Sequence, residues 1–269
     1  MTKIKGKNVL ITGGASGIGK LIGEQCLEKG ANQIIIWDIN ENALNKTCEE
    51  FKAKGYVVHP YLVDVSDLAQ IIDTSKKVLN QVGTIDILIN NAGIVTGKPF
   101  HEQDHKSIHK TLEINTAAVM HITRAFIKPM IDQKIGHIIN IASAAAMMAN
   151  PNMSVYAGSK WAVLGWSESL RLELESLEGE LHVTTVTPSY IDTGMFDGVK
   201  APLLLPMLKP DTIVKAIING IEKNKLFVRK PFMVNSLPLI KGILPTRAFD
   251  WFVGNILKVY KSMDEFKGH

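Results

Sequence analysis

Asn8-Val-Leu-Ile-Thr12, followed by Gly13-Gly14-Ala15-Ser16-Gly17-Ile18-Gly19, is the stretch that decides the fold. Its first half is a short apolar run of the kind that forms a strand buried on both faces. The glycines after it let the backbone approach a ligand closely. The periodic segment from Lys20 to Lys29 then reads as a helix, whose first N–H groups have no partner inside it. Strand, glycine turn and helix N-terminus together make a cradle for a pyrophosphate.

A glycine turn alone is weak evidence, so the context has to carry it. Gln33-Ile-Ile-Ile-Trp-Asp38 supplies a second strand that ends in an acid, nineteen residues past Gly19. An acid there accepts hydrogen bonds from the adenosine ribose hydroxyls and repels a 2′-phosphate, which favours NAD over NADP.

The alternation runs on. Helix Glu41–Lys54 leads to strand Val57–Val63, and helix Leu68–Val82 to strand Ile85–Asn90. One long helix, about His101–Gln133, precedes strand His137–Ile141, and helix Val155–Leu177 precedes strand Leu181–Val186. Helix Asp211–Lys223 and a short strand at Leu226–Val228 complete the pattern. Repeated β-α units predict an α/β fold: one Rossmann-type, doubly wound parallel sheet of about seven strands with helices on both faces. Ligands of such sheets sit at the strand carboxyl ends, where Asp64, Asn90, Ser143 and Pro188 all fall.

The second cue is Tyr156-Ala-Gly-Ser-Lys160. On a helix, residues four apart share a face, so the phenol and the ammonium project into one place. A cation beside a phenol favours the phenolate and lowers its pKa, which prepares Tyr156 for proton exchange with an alcohol or carbonyl. Taken alone, the spacing also suits an ordinary helix with tyrosine packed inward and lysine in water.

Composition agrees with a soluble globular chain. Of 269 residues, 46% are apolar and 21% charged, enough for the core of a single large domain. Cys26 and Cys48 fall in separate helices and make neither a disulfide framework nor a paired-cysteine metal motif, so a reducing compartment is expected. The N-terminus runs into a strand without the apolar core of a signal peptide, and a cytoplasmic location is expected. Of the net charge of +4, residues 225–269 hold eight Lys/Arg against three acids, a net of +5. The basic character belongs to the tail, and no nucleic-acid partner is expected.

The motifs in order resemble the classical short-chain dehydrogenase/reductase family. Thr12-Gly13-x-x-x-Gly17-x-Gly19 is similar to its cofactor turn, and Asn90-Asn91-Ala92-Gly93 to its strand-4 motif. Asn115, Ser143, Tyr156 and Lys160 match its catalytic tetrad in type, order and approximate spacing, over about residues 5–228. The resemblance implies Tyr156 as acid/base, Lys160 lowering its pKa and binding the nicotinamide ribose, Ser143 donating to the substrate oxygen, and Asn115 holding a relay water. It also implies an NAD site made by Gly13, Ser16, Gly17, Ile18, Gly19, Asp38, Asp64, Val65, Asn91, Ala92, Gly93, Tyr156, Lys160, Pro188, Ile191 and Thr193. One departure is Pro188-Ser189, where the family usually has Pro-Gly. Thr193, the usual partner of the carboxamide, is present.

His101-Glu102-Gln103-Asp104-His105 matches a zinc motif, with His109 one turn on. It lacks the flanking apolar residues that bury a zinc helix, so no metal is expected.

Two regions address the substrate. Tyr190–Lys209 is a Pro-interrupted loop rich in Met195, Phe196, Val199, Leu203, Leu204, Leu205, Met207 and Leu208. So apolar a loop either covers a greasy substrate or packs on the protein's own core. Residues 230–269 form an extension expected to pack on the domain of residues 1–229; it is apolar and basic at once, with no run long enough to span a membrane. Interfacial membrane contact or a partner subunit would suit it. Its ending, Ser262-Met-Asp-Glu-Phe-Lys-Gly268, resembles the retinol and 17β-hydroxysteroid dehydrogenase branch.

The leading expectation is thus an NAD-dependent oxidoreductase for a lipophilic secondary alcohol, ketone or retinoid. A 3-oxoacyl or sugar-type reductase is the alternative within the class, and a non-catalytic NAD-binding regulator the alternative outside it. A homodimer or homotetramer is expected, because the helices around Ser107–Ile131 and Val155–Leu177 carry Val119, Trp161 and Trp166 beyond one sheet-facing stripe.

Overall fold

In the computed structural model, which describes residues 1–202 and 205–266, seven parallel strands form one sheet in the order β3-β2-β1-β4-β5-β6-β7. They are β1 (Asn8–Thr12), β2 (Gln33–Asp38), β3 (Val58–Leu62), β4 (Ile87–Asn90), β5 (Ile135–Ile141), β6 (Glu180–Pro188) and β7 (Phe227–Lys230). The crossovers are α1 (Gly17–Glu28), α2 (Glu41–Ala53), α3 (Leu68–Val82), α4 (His105–Leu112) with α5 (Ala118–Asp132), α6 (Ser154–Glu175) and α7 (Pro210–Glu222).

Period-two alternation sorts the strand residues into two layers. Val9, Ile11, Ile34, Ile36, Ile87 and Ile89 face α1, α2 and α7, burying Ile22, Phe51 and Ile217. Leu10, Ile35, Trp37 and Leu88 face the other way onto Ile71, Ile122, Phe126 and Leu170 of α3, α5 and α6. Both faces are covered, so the strands are apolar throughout. Chain direction across the sheet reverses between β1 and β4, and that switch point opens a crevice at the strand carboxyl ends.

The capping pattern differs among the first helices. Asn40 caps α2 through Ala43 N–H at 3.0 Å, Asp67 caps α3 through Ala69 and Gln70, and Asp104 caps α4 through Ser107 N–H at 2.8 Å. Ser16, at the start of α1, makes no side-chain cap, and the first turn of α1 carries no acid. Its N–H groups are left for a ligand.

The single helix expected over His101–Gln133 is divided. Gln103 is extended (ψ 130°), Asp104 starts α4 afresh, and a five-residue π-helical turn, Glu113–Ala117, joins α4 to α5. The inserted residue in such a turn re-aims side chains locally. His101 lies in a short 3-10 turn and His105 begins α4, so the two histidines of the zinc-like motif do not share a helical face. Among the described residues no group of three His, Cys, Asp or Glu is placed to hold a metal.

Beyond β7 the tail folds into α8 (Leu237–Ile243), α9 (Thr246–Trp251) and a π-helical turn, Phe252–Ile256. Val234, Leu237, Phe249, Val253 and Leu257 pack against Ala144, Met147 and Met148 after β5. Among the described residues no helix is long and apolar enough to cross a membrane.

Candidate active site

A cavity of about 410 Å³ lies in the switch-point crevice. At one end is the glycine turn. Gly13 and Gly17 have φ of +63° and +51°, a region that strains any residue with a Cβ. A Cβ on Gly13 would stand 3.1 Å from Ala92 Cα, and one on Gly19 only 2.1 Å from the Gly13 carbonyl oxygen. Gly13 and Gly17 therefore shape the cradle, while Gly19 sits behind its wall and lets α1 pack beneath the turn.

Asn91 holds the cradle in place. Its Nδ2 donates to the carbonyls of Thr12 and Gly13, both at 3.0 Å, and Thr12 Oγ1 accepts from the N–H groups of Asn91 and Ala92 at 3.0 Å. These four bonds tie the loops after β1 and β4 together. Asp38 lines the cavity beside them; its carboxylate accepts from Ala15 N–H and Asn40 N–H, each at 3.0 Å. Asp64, Val65, Asn91, Ala92 and Gly93 continue this wall, and Ser16, Ile18, Pro188, Ile191 and Thr193 line it too. Thr193 lies opposite Gly17, 3.9 Å from where a Cβ would be.

At the other end stand Ser143, Tyr156 and Lys160. Ser143 leaves β5 extended and caps the turn Ala144–Ala146 by accepting from Ala145 N–H at 3.1 Å, and its hydroxyl also hydrogen-bonds the Tyr156 phenol. Tyr156 and Lys160, one turn apart on α6, are both 5% exposed. Lys160 Nζ donates to the Ile141 carbonyl at 2.9 Å and lies 5.8 Å from the centre of the Tyr156 ring.

Burial sets the protonation of this pair. It pushes the Tyr156 phenol up to about 12, with Ser143 pulling the other way, and it brings Lys160 down to about 8. The sequence leads one to expect that Lys160 lowers the phenol's pKa; here burial dominates, and the group that pulls it down is Ser143.

Asn115 stands behind this pair. It sits in the π-helical turn, fully buried, and does not line the cavity. Its Oδ1 accepts from Ile94 N–H at 2.8 Å, and its Nδ2 donates to the Ile94 carbonyl at 2.9 Å and to Ser159 Oγ at 3.1 Å. Both amide hydrogens are used, so the side chain anchors the loop after β4. Ser189, in place of the family's glycine, needs no left-handed backbone; its N–H donates to the Lys230 carbonyl at 2.8 Å.

The loop after β6 meets both the cavity and the protein's own core. Met195 and Phe196 line the cavity, while Leu205 is wholly buried in the tail's core. Asp192 N–H donates to the Leu208 carbonyl and Leu208 N–H to that of Tyr190, closing the loop at its base. Leu203 and Leu204 lie outside the described residues.

The tail, read from sequence as one of the two regions that address the substrate, packs beside Tyr156. Met263 and Phe266 pack with Tyr156, Met153, Tyr190 and Phe196. A Cβ on Gly97 would meet the Phe266 ring at 2.3 Å, so that glycine makes room for the tail. Ser262 Oγ bonds Tyr190 Oη at 2.8 Å and Asn150 Nδ2 at 3.2 Å. Next to Ser143 a chamber of about 20 Å³ is lined by Met148, Asn150, Met153, Tyr190 and Phe196.

Two of the three residues read as spare for a subunit contact are used internally. Val119 is buried with Val163 and Ala142, and Trp166 packs on them. Trp161 is 43% exposed, with Lys241 Nζ 3.9 Å from its ring centre.

A family model described as short chain dehydrogenase matches residues 7–203. Curated relatives include human short-chain dehydrogenase/reductase 3, 35% identical over 97% of this chain and 87% of its own length. Mouse epidermal retinol dehydrogenase 2 is 34% identical over 98% and 86%. Mouse estradiol 17-beta-dehydrogenase 11 is 36% identical over 91% and 82%. Among solved structures, a Burkholderia phymatum short-chain dehydrogenase/reductase in complex with NAD aligns with TM-score 0.80 at 24% identity, over 90% of this chain and 95% of that one. A Sphingobium yanoikuyae short-chain dehydrogenase in complex with NADPH gives 0.78 at 26%, over 88% and 92%.

Proposed function

The chain belongs to the short-chain dehydrogenase family, and from that premise we propose that it transfers a hydride between NAD and a bulky, apolar secondary alcohol or ketone of retinoid or steroid type. Oxidoreductase chemistry on alcohols and carbonyls comes with the family. The choice of NAD and of a lipophilic substrate is the proposal.

The residues fit a dinucleotide. The turn has no room for a Cβ at Gly13, α1 offers uncapped N–H groups, and Asp38 stands ready as a fixed acceptor. Gly13, Ser16, Gly17 and Ile18 would hold the pyrophosphate, Asp38 the adenosine ribose, Lys160 the nicotinamide ribose and Thr193 the carboxamide. Bound there, the nicotinamide supplies the hydride chemistry.

The chain's own groups handle the oxygen of the substrate. Ser143 donates a hydrogen bond to it, and Tyr156 gives it a proton in carbonyl reduction or takes one in alcohol oxidation. Burial favours the protonated phenol, the form that reduction consumes. Asn115 acts through the Ile94 loop, as a positioning residue.

The observation that carries the reading is one cavity shared by the glycine turn, Asp38, Ser143, Tyr156 and Lys160, with Met195 and Phe196 on its rim. Solved neighbours hold NAD in one case and NADPH in another; the acid at position 38 supports NAD here. A homodimer or homotetramer is supported by Leu112, Trp161 and Leu172, which stay exposed on α4 and α6. Both cysteines, buried and free, support a reducing, cytoplasmic setting.

A panel of retinoids, steroids and long-chain secondary alcohols with NAD, read by absorbance of the reduced cofactor, tests this. Turnover of an apolar member is expected. Turnover confined to sugars or acyl thioesters would replace it with the polar-substrate reading. NAD binding without turnover of any member would leave a regulator.

A further inference from the structure

Past Ser143 the main cavity adjoins the small chamber of about 20 Å³, and Ser143, Ser189 and Phe196 line both spaces. A substrate whose reacting oxygen rests on Ser143 has the chamber beside it. Ala145, Met148 and Met153 make much of the chamber wall apolar, and among them stands the carboxamide of Asn150, a residue only 7% exposed.

The hydrogens around Asn150 run in one direction. Ser262 Oγ gives its hydrogen to the Val259 carbonyl at 2.6 Å, so from Tyr190 Oη, 2.8 Å away, it accepts. Tyr190 Oη in turn accepts from Asn150 Nδ2 at 2.9 Å, and the same nitrogen lies 3.2 Å from Ser262 Oγ and 3.4 Å from Met153 Sδ. Turned over, the carboxamide would set its oxygen against Ser262 Oγ and Met153 Sδ, neither of which has a hydrogen to give. Nδ2 therefore faces the cluster. The other atom, Oδ1, is buried and has no hydrogen-bond partner among the described residues. A buried acceptor left single is costly, and native proteins leave few of them without a reason.

The size of the chamber selects what completes it. About 20 Å³ holds one oxygen with its hydrogen and little more, and a lone acceptor repels an anion. The ligand is a neutral hydroxyl. Ser189, where the family usually has glycine, adds a hydroxyl of its own where cavity and chamber meet.

We propose that Asn150 is a specificity-determining residue whose Oδ1 accepts from a second hydroxyl on the substrate, carried by the carbon next to the reacting one. Apolar vicinal diols and hydroxyketones are then preferred to analogues with one oxygen. The proposal rests on the oxidoreductase reading of the same site and narrows its substrate class.

Calorimetry on the full chain saturated with NADH tests this, because a reduced cofactor and an alcohol bind together without reacting. The probes are 1,2-octanediol, 2-octanol and 1-fluoro-2-octanol, whose fluorine is close to a hydroxyl in size but donates nothing. The diol should bind about ten-fold more tightly than either of the others. Asn150→Ala should bring that ratio near one. Ala145→Val, which fills the chamber and leaves the Asn150 hydrogen bonds in place, should do the same, and it decides the matter if Asn150→Ala does not fold. Equal binding of the diol and 2-octanol by the wild type overturns the proposal and gives the chamber to water. A preference for the diol that survives Ala145→Val overturns it too, as does failure of all three probes to bind. Reduction of 1-hydroxy-2-octanone and 2-octanone by NADH is read in parallel. A diol preference lost in the variants, with neither ketone turned over, refutes the enzymatic reading and leaves the Asn150 subsite standing.

Discussion

The ammonium of Lys160 lies 5.8 Å from the centre of the Tyr156 ring, and the two side chains, both nearly excluded from water, respond to the same burial in opposite directions. The phenol is pushed up to about 12 and the lysine down to about 8, because each is driven toward its neutral form.

Stability should therefore depend on Lys160 in a defined window. Its folded pKa of about 8 lies below the ordinary lysine value of 10.5, so between these the unfolded chain binds a proton that the native site does not. Unfolding is then opposed more strongly as pH rises, by on the order of 2 kcal/mol from about 8 to 10. Urea midpoints of the cofactor-free protein and Lys160→Met across that range measure it. The wild type should gain on the variant with pH, and parallel curves would contradict the burial argument.

Asp38→Ala should relax the cofactor preference. The change removes a carboxylate that Ala15 and Asn40 hold beside the cavity, and with it charged hydrogen bonds worth roughly 1.5–3 kcal/mol. Dissociation constants for NAD and NADP are the readout. A wild type that binds NADP more tightly would sink the assignment.

Asn115→Ala should act through structure. It strands the Ile94 N–H and carbonyl in a buried place, at a cost of roughly 1–3 kcal/mol for each unsatisfied group. A lower thermal midpoint and weaker NAD binding are expected together, since Gly93 and Ile94 line the cavity. Turnover lost with both unchanged would instead give the side chain a direct part in proton transfer.

Much of this was legible in the sequence because it depends on local pattern. Alternating β-α units fixed the seven strands, and the spacing of Tyr156 and Lys160 put them on one face of α6. What stayed hidden depends on contacts between distant parts of the chain. The π-helical turn under Asn115 has no local signature. The sign of the Tyr156 shift follows from how completely α6 and the tail exclude water. Val119 reads as spare on its helix until Val163 and Trp166 cover it. The zinc-like spacing from His101 to His105 presumed a continuous helix that extended Gln103 interrupts.

The central claim is that Tyr156 moves the proton, and Tyr156→Phe tests it most directly. The ring keeps its packing against Met153 and Met263, so NAD affinity and the thermal midpoint should hold, while kcat on a verified substrate falls by roughly 10²–10⁴-fold. A folded Tyr156→Phe variant that keeps wild-type NAD affinity and more than about a tenth of wild-type kcat would contradict the account.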